Sequence, residues 1–421
     1  MKGPIARATI QTTGVFALRL LIQGASLLVV SRMLGPVAYG AFAGVAALAL
    51  FIGSMAAFGF PLLLMRAVAR DAERREAVLA FALPSVLVMS TVMLALFVPA
   101  CLLLFTSQAV DAGMVLAIGA SEILLQPLLL ICAAEWHGRG QITTAQLLQV
   151  VPLGLRLLAA VTAACWWPSA PLGPYVVGHL LASCGALVLA LVLMPAGWPS
   201  PRHWRMPCWQ EWFGAGGYAA TELTRNGPTE LDKAMAARYL SMHDAGLYSA
   251  GARITGAVAL PVMAMVVSAL PRLFKESEQG GPPSLRLARW MALSALAYGV
   301  SLSALLWVAA PWLDRLLGSD YAGVSSVVRM LCFAVPGFSL RLVFGNILIA
   351  LGRPWLRAGL EGAGILALLL AGSSLGRLYG EAGMAATVIF AEWAMAAMSA
   401  WCVWRHRASA MRPSSPDRLG R

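Results

Sequence analysis

The sequence predicts an all-α integral membrane protein, with about twelve transmembrane helices in two parallel-repeat six-helix lobes around a central cavity. Three observations predict it. The 421 residues are 59% hydrophobic and only 12% charged, with a mean hydropathy of +0.75, whereas a soluble domain carries about 25% charged residues. Apolar runs of about 20 residues, the length that spans a bilayer core, recur from end to end. The chain also repeats itself without a gap at an offset of 206 residues: Arg19 falls on Arg225, Arg32 on Arg238, Leu34 on Leu240, Gly40 on Gly246 and Arg66 on Arg272. Arginine is a minority residue here, so three coincident arginine pairs in one window mark a duplicated lobe.

The first span, near 10–32, follows Met1-Lys2-Gly3-Pro4 directly, and with no small-residue cleavage site it reads as an uncleaved helix. It carries Arg19 and ends at the polar break Arg32-Met33-Leu34-Gly35-Pro36. Further spans are expected near 38–61, 78–105, 110–134, 142–166 and 172–194. The proline-rich stretch 196–211 is the expected cytoplasmic linker between an N-terminal lobe (1–195) and a C-terminal lobe (212–404). The second lobe holds spans near 212–236, 246–270, 287–310, 322–350, 356–376 and 382–404, and 405–421 is a basic tail expected to be disordered. Six spans on each side of the linker make the repeat parallel, with its axis along the membrane normal.

Charge sets the orientation. The N-terminus, even-numbered loops and tail hold 20 Lys and Arg against 5 in the odd-numbered loops, which places both termini in the cytoplasm. Trp166, Trp167, Trp312 and Tyr321 at odd-numbered junctions suit the opposite membrane–water boundary. The net charge of +12 is spread between spans and forms no single patch, which argues against a nucleic-acid partner. Seven cysteines lie scattered in or beside apolar segments without a CxxC pair, as small apolar fillers do, and five dispersed histidines give no metal spacing. No P-loop and no catalytic signature stands out. No enzyme activity and no resident cofactor is expected, only coupling to protons or sodium.

The charges inside the spans carry the functional expectation. Arg19 lies 13 residues before Arg32, about 20 Å along a helix, so it sits near mid-membrane, as Arg225 does relative to Arg238. Arginine at that depth costs about 2.5–3.5 kcal/mol unless it meets water, a partner or a ligand. Gln23 is the polar neighbour of Arg19, whereas Glu222 stands three residues before Arg225. Span seven is the most polar: Glu211, Tyr218, Glu222, Arg225 and Thr229 recur at helical spacing with Asn226 alongside, and Gly227-Pro228 is expected to break or bend it. Arg253, Arg329, Arg156 and Arg341 are further intramembrane arginines, and Glu122, Gln126, Asn346 and Glu361 are polar groups near them. Two readings stay open for each: a cavity-lining role, or an internal ion pair or hydrogen bond holding helices together. A cluster of guanidinium groups favours an anion, phosphate or pyrophosphate above all, and repels a cationic drug.

Short motifs give a resemblance. Ser31-Arg32-Met33-Leu34-Gly35-Pro36-Val37-Ala38-Tyr39-Gly40, then Asp232-Lys233 with Ala245-Gly246-Leu247-Tyr248-Ser249-Ala250, Pro271-Arg272-Leu273 and Gly352-Arg353-Pro354 occur in order along nearly the whole chain. In these the chain resembles the polysaccharide transporters, the O-antigen flippase type of the multidrug/oligosaccharidyl-lipid/polysaccharide exporter superfamily. The resemblance implies two six-helix lobes around a cationic cavity. It also implies transfer of an undecaprenyl-pyrophosphate-linked oligosaccharide from cytoplasm to periplasm by alternating access, beside a polysaccharide polymerase and a chain-length regulator. The substrate-binding residues expected here are Arg19, Gln23, Glu222, Arg225, Asn226, Arg253 and Arg341. Alternatives are an ion-coupled multidrug exporter or lipid II flippase of the same superfamily, or, from another class, a multi-span glycosyl transferase or ligase.

Overall fold

The structure, a computed structural model, describes residues 4–105, 110–258, 262, 285–351 and 353–410. The later half of span eight, with Pro271-Arg272-Leu273, and the end of the basic tail lie outside them, as does the side chain of Arg225. The described residues fold into helices without a strand. In order these are α1 (Pro4–Ala57), α2 (Phe60–Arg70), α3 (Arg74–Leu104), α4 (Ala112–Gly138), α5 (Ile142–Trp166), α6 (Leu172–Val192), α7 (Trp209–Tyr239), α8 (Met242–Val258), α9 (Leu285–Leu317), α10 (Val324–Leu331), α11 (Ala334–Ala350) and α12 (Pro354–Ala410).

Among the described residues seven helices are long and apolar enough to cross a membrane, or eight if the bent pair α10–α11 is one span. These hold ten of the twelve expected spans, because α1 and α12 each carry two. Both double helices turn at a glycine with positive φ, Gly35 (φ 67°) and Gly380 (φ 61°), a conformation that costs a residue bearing a Cβ about 1–2 kcal/mol. Pro36 follows Gly35 and supplies no backbone N–H, so the helical ladder restarts beyond the turn. The remaining two expected spans coincide with α7, which has 31 residues but is too polar to count among the apolar helices, and with α8, of which 17 residues are described.

Two local expectations change. Span two does not run into a plain loop: Phe58 and Gly59 turn with positive φ, and the chain re-enters a short amphipathic helix, α2, that buries Phe60, Leu64 and Val68. Nor is span seven broken at Gly227-Pro228. α7 runs from Trp209 to Tyr239 through Pro228 as one helix, its neighbours supplying the packing that a proline-interrupted ladder needs.

The chain divides into two compact units, Met1–Arg253 with Trp312–Val324, and Ile254–Pro311 with Ser325–Arg421. Compactness thus divides the chain elsewhere than the repeat does, because α7 packs on α1 in the first unit. In hydrocarbon, helices associate through close backbone approach and not through solvent exclusion. The α1–α7 seam is accordingly built of small residues, with Ala43, Ala47, Ala236 and Ala237 buried and Gly44 against the Ala237 side chain. The first unit's larger side chains, among them Phe60, Phe81, Leu83 and Leu129, form a core joining α2, α3, α4 and α5. In the second unit Met291, Val343, Ile347 and Leu348 do the same between α9, α11 and α12.

The stretch 196–211 is tied to the first unit. Arg75 donates to the carbonyls of Ala196 and Gly197 at 2.7 and 3.1 Å, and the Arg205 amide donates to the Ala80 carbonyl at 2.9 Å. Arg75 is itself held by Glu135, its Nε 2.6 Å from Oε1, and Arg139 shares that carboxylate.

Candidate functional site

Within the first unit, six helices bring polar groups to one buried region. α4 contributes Glu122 from a π-helical turn, Ala120–Leu125, inside an otherwise α-helical span. Such a turn adds a residue and re-aims side chains, and it recurs at functional sites. Its backbone abuts α1, where a Cβ at Gly53 would stand 3.1 Å from the Glu122 carbonyl carbon. Glu122 Oε1 lies 2.7 Å from Arg156 on α5 and 2.9 Å from Nε2 of His179 on α6. Arg156 also donates to the Ser183 hydroxyl at 2.9 Å. Phe42 of α1 stacks edge-on against both His179 and Tyr175, with centroids 5.8 and 5.2 Å apart.

Arg253, on α8, lies within electrostatic reach of Tyr39, Glu122, Tyr175 and Glu230. It makes no hydrogen bond or ion pair with any described residue, and its Nε is enclosed. α7 adds Glu230, Asp232 and Lys233. The Lys233 ammonium meets the Thr229 carbonyl and Asp232 Oδ1, the latter at 3.2 Å, and lies 3.8 Å from Glu230. Tyr248 donates to Asp232 Oδ2 at 3.2 Å. The Asp232-Lys233 pair and Tyr248, noted as family motifs in the sequence, are therefore one buried contact between α7 and α8.

The repeat has a structural counterpart at the odd-numbered junctions. A Cβ at Gly40 would collide with the Met242 carbonyl oxygen and lie 2.7 Å from the Gly246 nitrogen. A Cβ at Gly246 would collide with the Pro36 carbonyl oxygen and lie 2.7 Å from its carbon. Residues 36 and 40 map onto 242 and 246 at the 206-residue offset, so the contact exchanges its two sides, as a two-fold contact does. Tyr321 closes over it, its hydroxyl donating to the Ser31 carbonyl at 3.1 Å and its ring edge-on to Tyr39.

The expected site residues are distributed unevenly. Arg253 lies in the buried region. Arg19 and Gln23 are half-buried on α1, and Glu222 and Asn226 half-buried on α7, with Arg225 described in backbone only. Arg341 lies in the second unit, 2% exposed, its Nε 2.7 Å from Glu392 Oε2 and its NH1 3.6 Å from Glu361 Oε1. Arg357 completes that network, 2.9 Å from Glu361. Sequence reasoning placed Glu122 and Arg156 inside the membrane without joining them and read His179 as dispersed. It singled out neither Glu230 nor Glu392. The one available signal was the acidic residues themselves, which are scarce in these spans.

The family model for "Polysaccharide biosynthesis protein" matches residues 8–276, more than half of the chain, and the protein belongs to that family. Its fold is that of the multidrug/oligosaccharidyl-lipid/polysaccharide (MOP) superfamily transporters. A solved inward-facing multidrug resistance MATE family transporter of that superfamily is similar, with TM-score 0.74 at 13% identity over 96% of this chain and 100% of that one. A MOP superfamily transporter from Pyrococcus furiosus, described as having a binding pocket of reverse polarity, aligns at TM-score 0.65 and 15% identity over 97% and 96%. An outward-facing MATE transporter gives 0.66, again at 15% identity over 97% and 96%. No protein with a curated description matches the chain. Family and fold are thus those of multi-pass membrane transporters.

Proposed function

We propose that this protein is a flippase. It carries an undecaprenyl-pyrophosphate-linked oligosaccharide from the cytoplasmic to the periplasmic leaflet of the inner membrane, by alternating access, for assembly of O-antigen or exopolysaccharide. The observation that carries this reading is Arg253: a guanidinium enclosed at Nε with no hydrogen-bond or ion-pair partner among the described residues. An unpaired intramembrane arginine is costly unless a ligand completes it, and its fork matches a phosphate bidentately. Tyr39 and Tyr175 beside it offer hydroxyl donors to the same anion. Arg19 with Gln23, and Arg225 with Glu222 and Asn226, extend the polar path along α1 and α7. Arg341, already satisfied by two carboxylates, is assigned to holding the second unit together and leaves the substrate-binding set. A polysaccharide polymerase and a chain-length regulator are the partners this role calls for.

The test is a deletion strain complemented with the wild-type chain or with Arg253→Gln. Cytoplasmic-face accumulation of one lipid-linked oligosaccharide, relieved by wild type and not by the variant, is expected. Relief by Arg253→Gln at wild-type level removes the anchor of the reading. New sensitivity to cationic dyes, with no lipid-linked sugar accumulating, moves the protein to drug export.

A further inference from the structure

We propose that His179, held by Glu122 in the π-helical turn, is a proton-binding site whose occupancy controls separation of the paired junctions Pro36–Gly40 and Met242–Gly246. With Nε2 donating to the Glu122 carboxylate, the second ring nitrogen, Nδ1, keeps a bare lone pair. Among the described residues neither Nδ1 nor the second Glu122 oxygen, Oε2, has a hydrogen-bond partner, although both atoms are buried. Their side chains are only 6% and 2% exposed. An orphaned acceptor at such depth is a strained resting state, and a proton is the smallest ligand that changes it.

The step is a plain proton addition. A hydronium ion gives its proton to Nδ1: one O–H bond breaks, one N–H bond forms, water leaves, and the ring becomes an imidazolium. The pair Arg156–Glu122 is already neutral, so the proton leaves the buried triad with one net positive charge. The charged and titratable groups around it are Glu122 on α4, Arg156 on α5, Tyr175 on α6 itself, Tyr39 on α1, Arg253 on α8, and Glu230, Asp232 and Lys233 on α7. Relief comes from an arrangement that brings His179 to water. Counting from the Asp111 cap, Glu122 lies about 16 Å along α4 at 1.5 Å per residue. Counting from Pro171, His179 lies about 12 Å along α6. The site is therefore nearer the odd-numbered junctions than the opposite ends of these helices.

A physical path joins the site to those junctions. His179 stacks on Phe42, which is two residues from Gly40, and Gly40 packs on Met242 and Gly246. The backbone of the π-helical turn meets α1 again at Gly53. Displacing the His179 ring thus acts on the helix that begins at the junction. Its packing has no slack, because each glycine already touches backbone.

The experiment uses the full chain in nanodiscs, with no cargo, in a background where the seven cysteines are replaced. Spin labels at Val37→Cys and His243→Cys, which are exposed and repeat-equivalent, report the separation of the junctions between pH 4 and 8. The expected result is a shift from a short to a long distance population as pH falls, lost in both His179→Gln and Glu122→Gln, which stay in the short population. A wild-type distribution that ignores pH, or a pH response unchanged in both variants, overturns the proposal. If a variant fails to fold, titration of the 15N-histidine-labelled wild type decides, with His179 assigned by selective unlabelling. A His179 ring that keeps one protonation state from pH 3.5 to 8 overturns it. Cargo enters neither measurement, so failure here leaves the flippase reading untouched, and failure of that reading leaves this one standing.

Discussion

Two buried charge clusters occupy corresponding helices of the two halves. Spans four, five and six carry Glu122, Arg156 and His179, an acid between two bases. Spans ten, eleven and twelve carry Arg341, Glu361 and Glu392, a base between two acids, with Arg357 added. The second cluster is the more nearly closed: two guanidinium groups face two carboxylates, and among the described residues it leaves Glu361 Oε2 alone without a hydrogen bond. The first is open: it leaves Glu122 Oε2, His179 Nδ1 and Arg156 Nε unsatisfied among the described residues and has the unpaired Arg253 beside it. Buried charge alone does not tell structure from function; what separates these two clusters is how many of their buried polar atoms go without a partner. A closed network holds helices, whereas an open one holds places for a ligand.

The comparison breaks most readily in the closed cluster. Glu392→Ala takes from Arg341 its shorter ion pair and leaves it the longer one to Glu361, and is expected to cost about 3 kcal/mol, seen as a large fall in thermal unfolding temperature. The double variant Arg341→Met/Glu392→Met should recover most of that loss. A wild-type melting curve for Glu392→Ala would refute the closed network. Gly246→Val, which drives a side chain into the Pro36 backbone, should cost about 1–3 kcal/mol and abolish transport. Arg253→Gln should lose transport while shifting stability by less than about 1 kcal/mol, because no pair is broken. A large destabilisation would show that Arg253 belongs with Arg341. The smallest effect is at the linker, where Arg205 holds Glu211 by two hydrogen bonds of 2.6 and 2.8 Å. That bond keeps the Glu211 carboxyl below its ordinary value, so its contribution is present above about pH 4.3 and fades as pH falls through the lower folded value. Both side chains are partly exposed, so Arg205→Ala should cost at most about 1 kcal/mol, removed by acid or high salt.

Much of the fold was legible because charge is scarce in this chain. Against an apolar background the Arg32–Pro36 break and the 206-residue echo stood out, and Gly40 matching Gly246 foreshadowed a contact that exchanges its own two sides. The pairings were not legible. Glu122 and His179 are 57 residues apart, Arg341 and Glu392 are 51 apart, and no periodicity relates residues on different helices. A π-helical turn inserts one residue without any compositional mark. The same ambiguity attended every intramembrane arginine: depth predicts that each needs a partner, and only the folded chain says which have one. Arg341 was thus grouped with Arg253 on depth alone, although the two have opposite surroundings.

The glycine contact has a consequence for ancestry. A surface that fits its own copy by exchange of sides is how a homodimer recognises itself. A six-span chain carrying Pro36 and Gly40 once would already hold everything needed to pair with a second, parallel copy. Fusion through a linker such as 196–211 would then add no new contact, only a high effective concentration of one half near the other. Expressed as two separate chains, the halves should still find each other at this point, and a bulky residue at either glycine should keep them apart.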